Sequence, residues 1–174
     1  DNNLGAATGA VKLDNSTLKF DNSVTLPGTR ILTLNNTSVI DTQNYSSSIN
    51  GEINGVGILT KKGANRLSLN GDKNFVGDIN VVSGELKVNG DISNANVNLE
   101  EGSTFSGNNT VLNLINRGIV APGNSIGQIQ VRNIFNNTGG IYQCEVNDAG
   151  QSDLIRVIGA ASTTTLHGTL QVIP

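Results

Sequence analysis

Short runs of alternating apolar and polar residues recur along the chain, and no window keeps a helical period. The repeated pattern is apolar, any residue, apolar, Asn or Asp, then Asn or Gly, and it occurs at residues 11–15, 18–22, 32–36, 67–71 and 86–90. Alternation with a period of two is typical of strands with one buried face. Asn and Gly favour tight turns. Each copy therefore predicts one short strand followed by a turn.

Two all-β folds can be built from such strands. The Asn-Gly endings at residues 70–71 and 89–90 fit hairpin turns, which would give an antiparallel sandwich or barrel. The copies are spaced irregularly, by 7, 14, 35 and 19 residues, which favours a solenoid with loops of varied length. We therefore predict an all-β fold, a right-handed parallel β-helix formed as a single-stranded solenoid. At about 20–25 residues per rung and about 4.8 Å between rungs, it would have roughly seven to eight rungs.

The composition agrees with a turn-rich solenoid. Asn occurs 26 times and Gly 21 times, and charged residues make up only 14% of the chain, well below the usual quarter or so. We find no clear domain boundary and predict that residues 1–174 form one β-helix fragment. Residues 43–57 are the loosest stretch, and we predict an outward loop between rungs there. The chain starts and stops abruptly, so we expect it to be a piece of a longer polypeptide.

Residues 55–90 carry an ordered set of short motifs. They are Gly-x-Gly at 55–57, Leu-Thr-Lys-x-Gly at 59–63, Leu-x-Leu-x-Gly at 67–71, aromatic-x-Gly at 75–77, and Val-x-x-Gly-x-Leu-x-Val at 81–88. This succession resembles the passenger-associated transport repeat of autotransporters, the proteins of type V secretion in Gram-negative bacteria. The sequence departs from that repeat at Arg66, where a small residue is usual, and at Asp78, where Thr is usual.

A second region, residues 118–174, resembles the C-terminal end of autotransporter passengers. It contains Pro-Gly-Asn-Ser-Ile-Gly at 122–127, followed by segments at 142–147, 151–157 and 168–172 that match the family in the same order. The resemblance implies upstream rungs at 1–54, transport-repeat rungs at 55–117 and autochaperone-like rungs at 118–174. It also implies a surface or secreted location at the outer membrane and a C-terminal membrane β-barrel as partner. The Asn-rich, low-complexity sequence resembles rickettsial-type surface antigens as well, which is a less specific resemblance.

The sequence contains a few residues of types that can act in catalysis. A Ser-His-Asp triad would need His167, the one histidine, but no Gly-x-Ser-x-Gly motif is present. We interpret His167 as a turn or outward strand residue, and Cys144, the one cysteine, as a small buried apolar residue that can form no internal disulfide. The adjacent pair Glu100 and Glu101 is interpreted as a solvated turn.

Binding sites for ions and cofactors are not predicted. The loop at 122–127 could form an anion nest, but it lacks the Lys and Ser or Thr of a phosphate-binding loop, so we interpret it as a structural turn. No cluster has metal-ligand spacing. The net charge is −3 and the one adjacent basic pair is Lys61 and Lys62, which argues against a nucleic-acid partner. We therefore predict no catalytic, cofactor-binding or metal-binding residues, no cofactor and no enzyme.

Three functions remain open at this point. The leading hypothesis is a structural stem that supports folding and translocation of a surface-displayed passenger. The alternative is an adhesin surface that binds a host protein or glycan, or that mediates self-association through exposed strand edges. The weakest is a carbohydrate-active enzyme, which would need a cleft with two carboxylates within about 10 Å of each other.

Overall fold

The structure is a computed structural model that describes residues 4–174. Within that range it contains no α-helix, and no helix long and apolar enough to cross a membrane. The strands are β1 (Val11–Lys19), β2 (Thr25–Leu26), β3 (Leu32–Asp41), β4 (Ser47–Ile49), β5 (Ile53–Lys62), β6 (Leu67–Asn70), β7 (Asn74–Val81), β8 (Gly84–Leu99), β9 (Ser103–Gly107), β10 (Asn109–Asn116), β11 (Ile119–Pro122), β12 (Gln128–Glu145), β13 (Leu154–Val157) and β14 (Thr163–Ile173).

These strands pair in parallel. Each strand pairs with strands that lie one turn of the solenoid earlier or later in the chain. Val11 pairs with Leu32, and Leu32 pairs with Ile53, so the chain returns to the same position in the sheet about every 20 residues. Later in the chain, Val111 pairs with Ile92 on one side and with Val131 on the other. The chain is therefore a parallel β-solenoid, which confirms the predicted fold class and rules out the hairpin alternative.

The core is a stack of aliphatic side chains that point into the coil. In β6, Leu67 and Leu69 face inward. In the next rung, Leu86 and Val88 of β8 pair with them directly, and all four side chains are no more than 1% exposed. Burying one such side chain stabilises a fold by about 1.5–3 kcal/mol, so the hydrophobic stabilisation of the solenoid grows rung by rung.

Asparagine side chains form columns along the outside of the coil. The Asn96 amide donates to Asp78 at 2.7 Å, and the Asn113 amide donates to Asn96 at 2.7 Å. The Asn70 amide donates to Asn50 at 2.8 Å. Stacked amides can bond to the rung above or below because successive rungs are one strand spacing apart. This stacking accounts for part of the high asparagine content, beyond the role of asparagine in turns.

Glycines let the backbones of two rungs approach closely at one corner. Gly57 and Gly77 are direct neighbours in the β5–β7 ladder. Gly77 has φ +136°, and a Cβ atom built there would lie 2.0 Å from the carbonyl oxygen of Gly57. No side chain fits at that distance, so glycine is required. The Gly-x-Gly and aromatic-x-Gly motifs therefore mark a corner where backbones touch.

The solenoid has about six rungs, slightly fewer than the predicted seven to eight. The last strands cover the core only in part, with Ile155 and Val157 of β13 half-buried against it. Every residue of β14 except Ile173 is exposed, and in β13 exposed and half-buried residues alternate. Dividing the chain length by the number of residues per rung counts incomplete turns at the ends as full rungs.

Residues 43–57 are not an outward loop, so that prediction was wrong. The segment contains β4, which pairs with β2 and β6. Ile49 is fully buried, and Ser47, which is 5% exposed, accepts the Val24 N–H at 3.2 Å. The inward Ser47 is tolerated because a hydrogen bond satisfies it. A polar residue at an inward position disguised the strand in the sequence.

Candidate functional site

The two ends of the solenoid differ in how they are covered. At the N-terminal end, Arg30 is 1% exposed and its guanidinium donates to the carbonyl oxygens of Leu4 at 3.2 Å and Gly9 at 2.7 Å. These bonds hold the segment that contains Leu4 and Gly9 over the first rung. At the C-terminal end no described residue plays such a part, and the last rung faces solvent.

The open C-terminal end exposes the inward side of the last rung. Leu166 pairs with buried Asn137, and Leu170 and Val172 pair with Tyr142 and Cys144. These three aliphatic side chains are 68%, 62% and 59% exposed. The same kind of side chain is fully buried in the inner rungs, whereas the described residues leave this apolar surface uncovered.

The backbone of the last rung is open as well. Within residues 4–174, β13 and β14 pair only with β12, which lies on one side of them. Their other edges present unpaired N–H and C=O groups to solvent. Such an edge can accept a further strand through main-chain hydrogen bonds. Together, the apolar inner side and the open edge define the C-terminal face, which we take as the residues of β13 and β14.

The possible catalytic residues named from the sequence do not form an active-site arrangement. His167 is exposed in β14, pairs with Thr138, and makes no hydrogen bond through its side chain within residues 4–174. Glu100 and Glu101 lie exposed in a tight turn, and Arg117 approaches Glu100 at 3.7 Å. Cys144 is half-buried, with its Sγ 3.6 Å from the carbonyl oxygen of Asp153.

Two backbone amides of the loop at residues 122–127, those of Gly123 and Gly127, are bonded within the protein. Gly123 donates to the carbonyl oxygen of Gly107 at 2.9 Å, and Gly127 donates to the Asp153 carboxylate at 2.8 Å. An anion nest needs free N–H groups that point at the ligand. The loop therefore acts as a structural connection, with an internal carboxylate in the place of an anion.

A shallow polar groove runs across the outer face of β8, β10 and β12. It has a volume of about 540 Å³ and is lined by Asp72, Gly90, Asp91, Asn108, Asn109, Thr110, Gln128 and Gln130. Asp72 accepts the Asp91 N–H at 2.8 Å, and Asp91 accepts the Ser93 N–H at 2.6 Å. Two carboxylates thus line one groove, and each accepts a backbone N–H, Asp72 from the neighbouring rung and Asp91 from its own rung.

Lys61 is the most enclosed cation of residues 55–117, and its burial was not predicted from the sequence. Lys61 is fully buried, and its Nζ donates to the carbonyl oxygens of Gly63 at 2.7 Å, Asn65 at 2.7 Å and Ser83 at 2.9 Å. The ammonium joins the corners of successive rungs. Strict alternation from Leu59 places Lys61 inward, and that signal would have found it.

Burial changes the acidity of Lys61. It lowers the pKa of Lys61 to about 8, against the opposing effect of the Asp41 and Glu85 charges. A buried lysine with a lowered pKa can take part in catalysis. Here the Nζ is surrounded by main-chain oxygens and has no exposed surface, so the geometry supports a structural role. Within residues 4–174 no group of His, Cys, Asp and Glu side chains could hold a metal ion.

Two relatives share sequence with the chain. An extracellular serine protease of Serratia marcescens is 40% identical over 125 residues, which cover 70% of this chain and 11% of the protease. The adhesin BmaC autotransporter of Brucella suis biovar 1 (strain 1330) is 35% identical over 92 residues, which cover 52% of this chain and 3% of the adhesin. The chain therefore spans a small part of either relative. No family model and no solved structure matches it.

These relatives and the β-solenoid are consistent with an autotransporter passenger domain, as the motifs at residues 55–90 and 118–174 predicted. They indicate a secreted or cell-surface protein that is linked to the outer membrane. The match to the serine protease is confined to a small part of that enzyme, and the residues described in this chain show no sign of a catalytic group.

Proposed function

We propose that this chain is the stem of an autotransporter passenger, and that it supports vectorial folding during passage across the outer membrane. The observation that carries the proposal is the unbroken parallel stacking from β1 to β14, which ends in an open edge. In such a stack each rung offers the next one a strand edge and an apolar layer. Folding can therefore spread from one end as the chain emerges.

We assign three sections to this stem. Residues 1–54 are upstream rungs, residues 55–117 are the transport-repeat rungs, and residues 118–174 are the base on which the others fold. The base presents β12 to β10 over two runs of paired residues, Asn109 to Val111 and Asn113 to Asn116. This ladder, interrupted by one irregularity between Val111 and Asn113, supports a templating role for the base, because the arriving β10 finds its hydrogen-bond partners already in place.

The partner of the stem, in this proposal, is a membrane β-barrel at the C-terminal end of the same polypeptide. The C-terminal face, with its open edge and exposed Leu166, Leu170 and Val172, lies where the chain would lead toward that barrel. The N-terminal side of the stem would carry the part of the passenger that acts on the host or on a substrate.

Deletion of residues 118–174 from the protein that carries this chain tests the proposal. We expect surface display to fall sharply and the passenger to become protease-sensitive. A matched control removes one inner rung, residues 32–52, because Val11 can then pair with Ile53 as it now does with Leu32. The control should keep display. Equal display and equal protease resistance in both deletions would contradict the templating role.

A further inference from the structure

Asp153 is a buried carboxylate at the start of the last rung. It lies just before β13 and is 4% exposed. Its Oδ1 accepts the Gly127 N–H at 2.8 Å, and its Oδ2 accepts the Glu145 N–H at 3.0 Å. None of the ion pairs among residues 4–174 involves it. A buried charge is costly unless hydrogen bonds satisfy it, so both amides must be in place for this carboxylate to be stable.

The main chain of Asp153 strengthens the same junction. Its N–H donates to the Glu145 carbonyl at 2.9 Å, and the Leu154 N–H donates to the Gly127 carbonyl at 2.9 Å. The Tyr142 hydroxyl donates to the Asp153 carbonyl at 3.1 Å. Burial raises the pKa of the Tyr142 hydroxyl, which keeps it protonated as a donor. Three segments therefore meet at Asp153: the loop at 122–127, the end of β12 and the start of β13.

The loop at residues 122–127 is in turn attached to the inner rungs. Gly107 and Gly123 exchange two backbone hydrogen bonds of 3.1 and 2.9 Å, and the Asn124 amide donates to Asn89 at 3.2 Å. Gly127 is packed so closely that a Cβ atom would lie 2.3 Å from Asn108 Oδ1. The loop is thus fixed on one side to the body of the solenoid, and on the other side it is held by Asp153.

Hydrophobic burial attaches the last rung only in part. Ile155 and Val157 of β13 are half-buried against the core, whereas Leu166, Leu170 and Val172 of β14 are mostly exposed. We propose that Asp153 is the positioning residue that fixes β13 and β14 to the solenoid, and that it orders the loop at 122–127 and the last rung as one unit. Two of the segments that resemble the family, at 122–127 and 151–157, are then joined through Asp153, and we call these hydrogen bonds of Asp153 the lock.

This inference deepens the proposed templating role and rests on it only for its consequence in secretion. A base that templates folding must itself be ordered before the inner rungs arrive. Asp153 supplies that order through hydrogen bonds that lie within residues 127–154 and need no upstream rung. Whether the lock exists can be measured on the isolated chain, independently of display.

The test compares Asp153→Ala, Asp153→Asn and the control Asp148→Ala in the 174-residue chain. Asp148 is an exposed acid in the adjacent turn whose side chain makes no hydrogen bond within residues 4–174. In Asp153→Ala we expect amide exchange in β13 and β14 to rise at least about tenfold, because two bonds to a charged group are lost. Exchange in β6 and β8 should stay unchanged. Asp153→Asn should fall in between, because one amide oxygen replaces two acceptors.

A chemical readout uses Cys144, the one cysteine of the chain. Its Sγ lies beside the Asp153 carbonyl, so opening of the lock should raise its rate of maleimide labelling at least about tenfold. Equal exchange and equal labelling in Asp153→Ala and Asp148→Ala would overturn the proposal. A uniform rise over all rungs would overturn it too, since it would assign Asp153 a global role. If the lock is found but deletion of residues 118–174 leaves display intact, the templating role alone fails.

Discussion

The inner rungs and the last rung have the same kind of sequence but differ in their surroundings. In β6 and β8, Leu69 and Val88 alternate with polar residues and are no more than 1% exposed. In β14, Leu170 and Val172 alternate with polar residues in the same way and are 62% and 59% exposed. The inner strands have a partner on both sides, whereas β14 pairs only with β12 within the described chain.

This difference shows that burial in a solenoid is a property of neighbouring rungs. A leucine at an inward position is covered when a rung or a covering segment, such as the one that contains Leu4, lies on each side of it. The stabilisation of each rung is therefore close to a sum of its own contribution and the contacts with its two neighbours. The last rung lacks one of those contacts, and hydrogen bonds such as those of Asp153 become relatively more important there.

The largest expected effect separates a buried leucine from an exposed one. Leu69→Ala should lower the free energy of unfolding by about 3–4 kcal/mol, since it removes a fully buried side chain and leaves a cavity. Leu170→Ala should lower it by less than about 1 kcal/mol, since that side chain is mostly exposed. Urea denaturation followed by circular dichroism measures both. Equal losses would mean that the last rung is covered in solution, and the comparison would no longer hold.

The next effect comes from a glycine at a backbone contact. Gly77→Ala should destabilise the chain by about 3 kcal/mol, because the new Cβ would meet the Gly57 carbonyl oxygen at 2.0 Å. Gly150, at φ +75° in the turn after β12, has no atom within 4 Å of a new Cβ. Gly150→Ala should therefore cost only about 1 kcal/mol, from its left-handed backbone. Thermal unfolding distinguishes the two, and similar values would argue against close packing at the Gly57–Gly77 corner.

Removal of the Lys61 ammonium has an effect of similar or slightly smaller size. Lys61→Met leaves three carbonyl oxygens without this donor, and we expect a loss of about 2–3 kcal/mol at pH 7. Lys62→Met is the matched control, because Lys62 is exposed on the same strand. A loss confined to Lys61→Met, measured by chemical denaturation, supports the assignment. Comparable losses in both variants would contradict it.

Lys61 also gives the inner rungs a distinctive pH dependence. Its pKa is about 8 in the folded chain and 10.5 as the ordinary value. The unfolded state therefore binds more protons between about pH 8 and 10.5, and stability rises with pH through that window. The gain is complete above about pH 10.5 and is lost as the pH falls through about 8. Between pH 7 and 9.5 we expect the free energy of unfolding to rise by about 2 kcal/mol more in the native chain than in Lys61→Met. Parallel pH profiles of the two proteins would exclude this.

The smallest effect compares an inner polar column with a pair at the end. Asn96 is bonded to both Asp78 and Asn113, so Asn96→Ala should cost about 1 kcal/mol. Gln171 is bonded to Gln143 at 3.1 Å on an exposed face, and Gln171→Ala should cost only a few tenths of a kcal/mol. The same denaturation assay resolves the difference. A larger loss for Gln171→Ala would show that polar stacking matters more at the end than inside.

Much of the fold could be predicted from the sequence because period-two alternation and Asn-Gly turns are local signals. The motifs at residues 55–90 and 118–174 predicted the autotransporter resemblance, with which the two relatives agree. The prediction failed at residues 43–57, where the inward Ser47 hides a strand. It also missed two buried charged residues. Lys61 lies inward by alternation from Leu59, but a charged residue is normally expected to be exposed. The burial of Asp153 depends on main-chain amides as distant in the chain as that of Gly127.

The sequence by itself determined the strand pattern, the solenoid class and the family resemblance. Each depends on residue types at short and regular spacing, which the chain carries wherever it is folded. Only the tertiary structure decided which leucines are covered, which charges are enclosed and where the coil stays open. Those properties arise between rungs that lie about 20 residues apart in the chain, and a local pattern holds no information about whether the neighbouring rung is present.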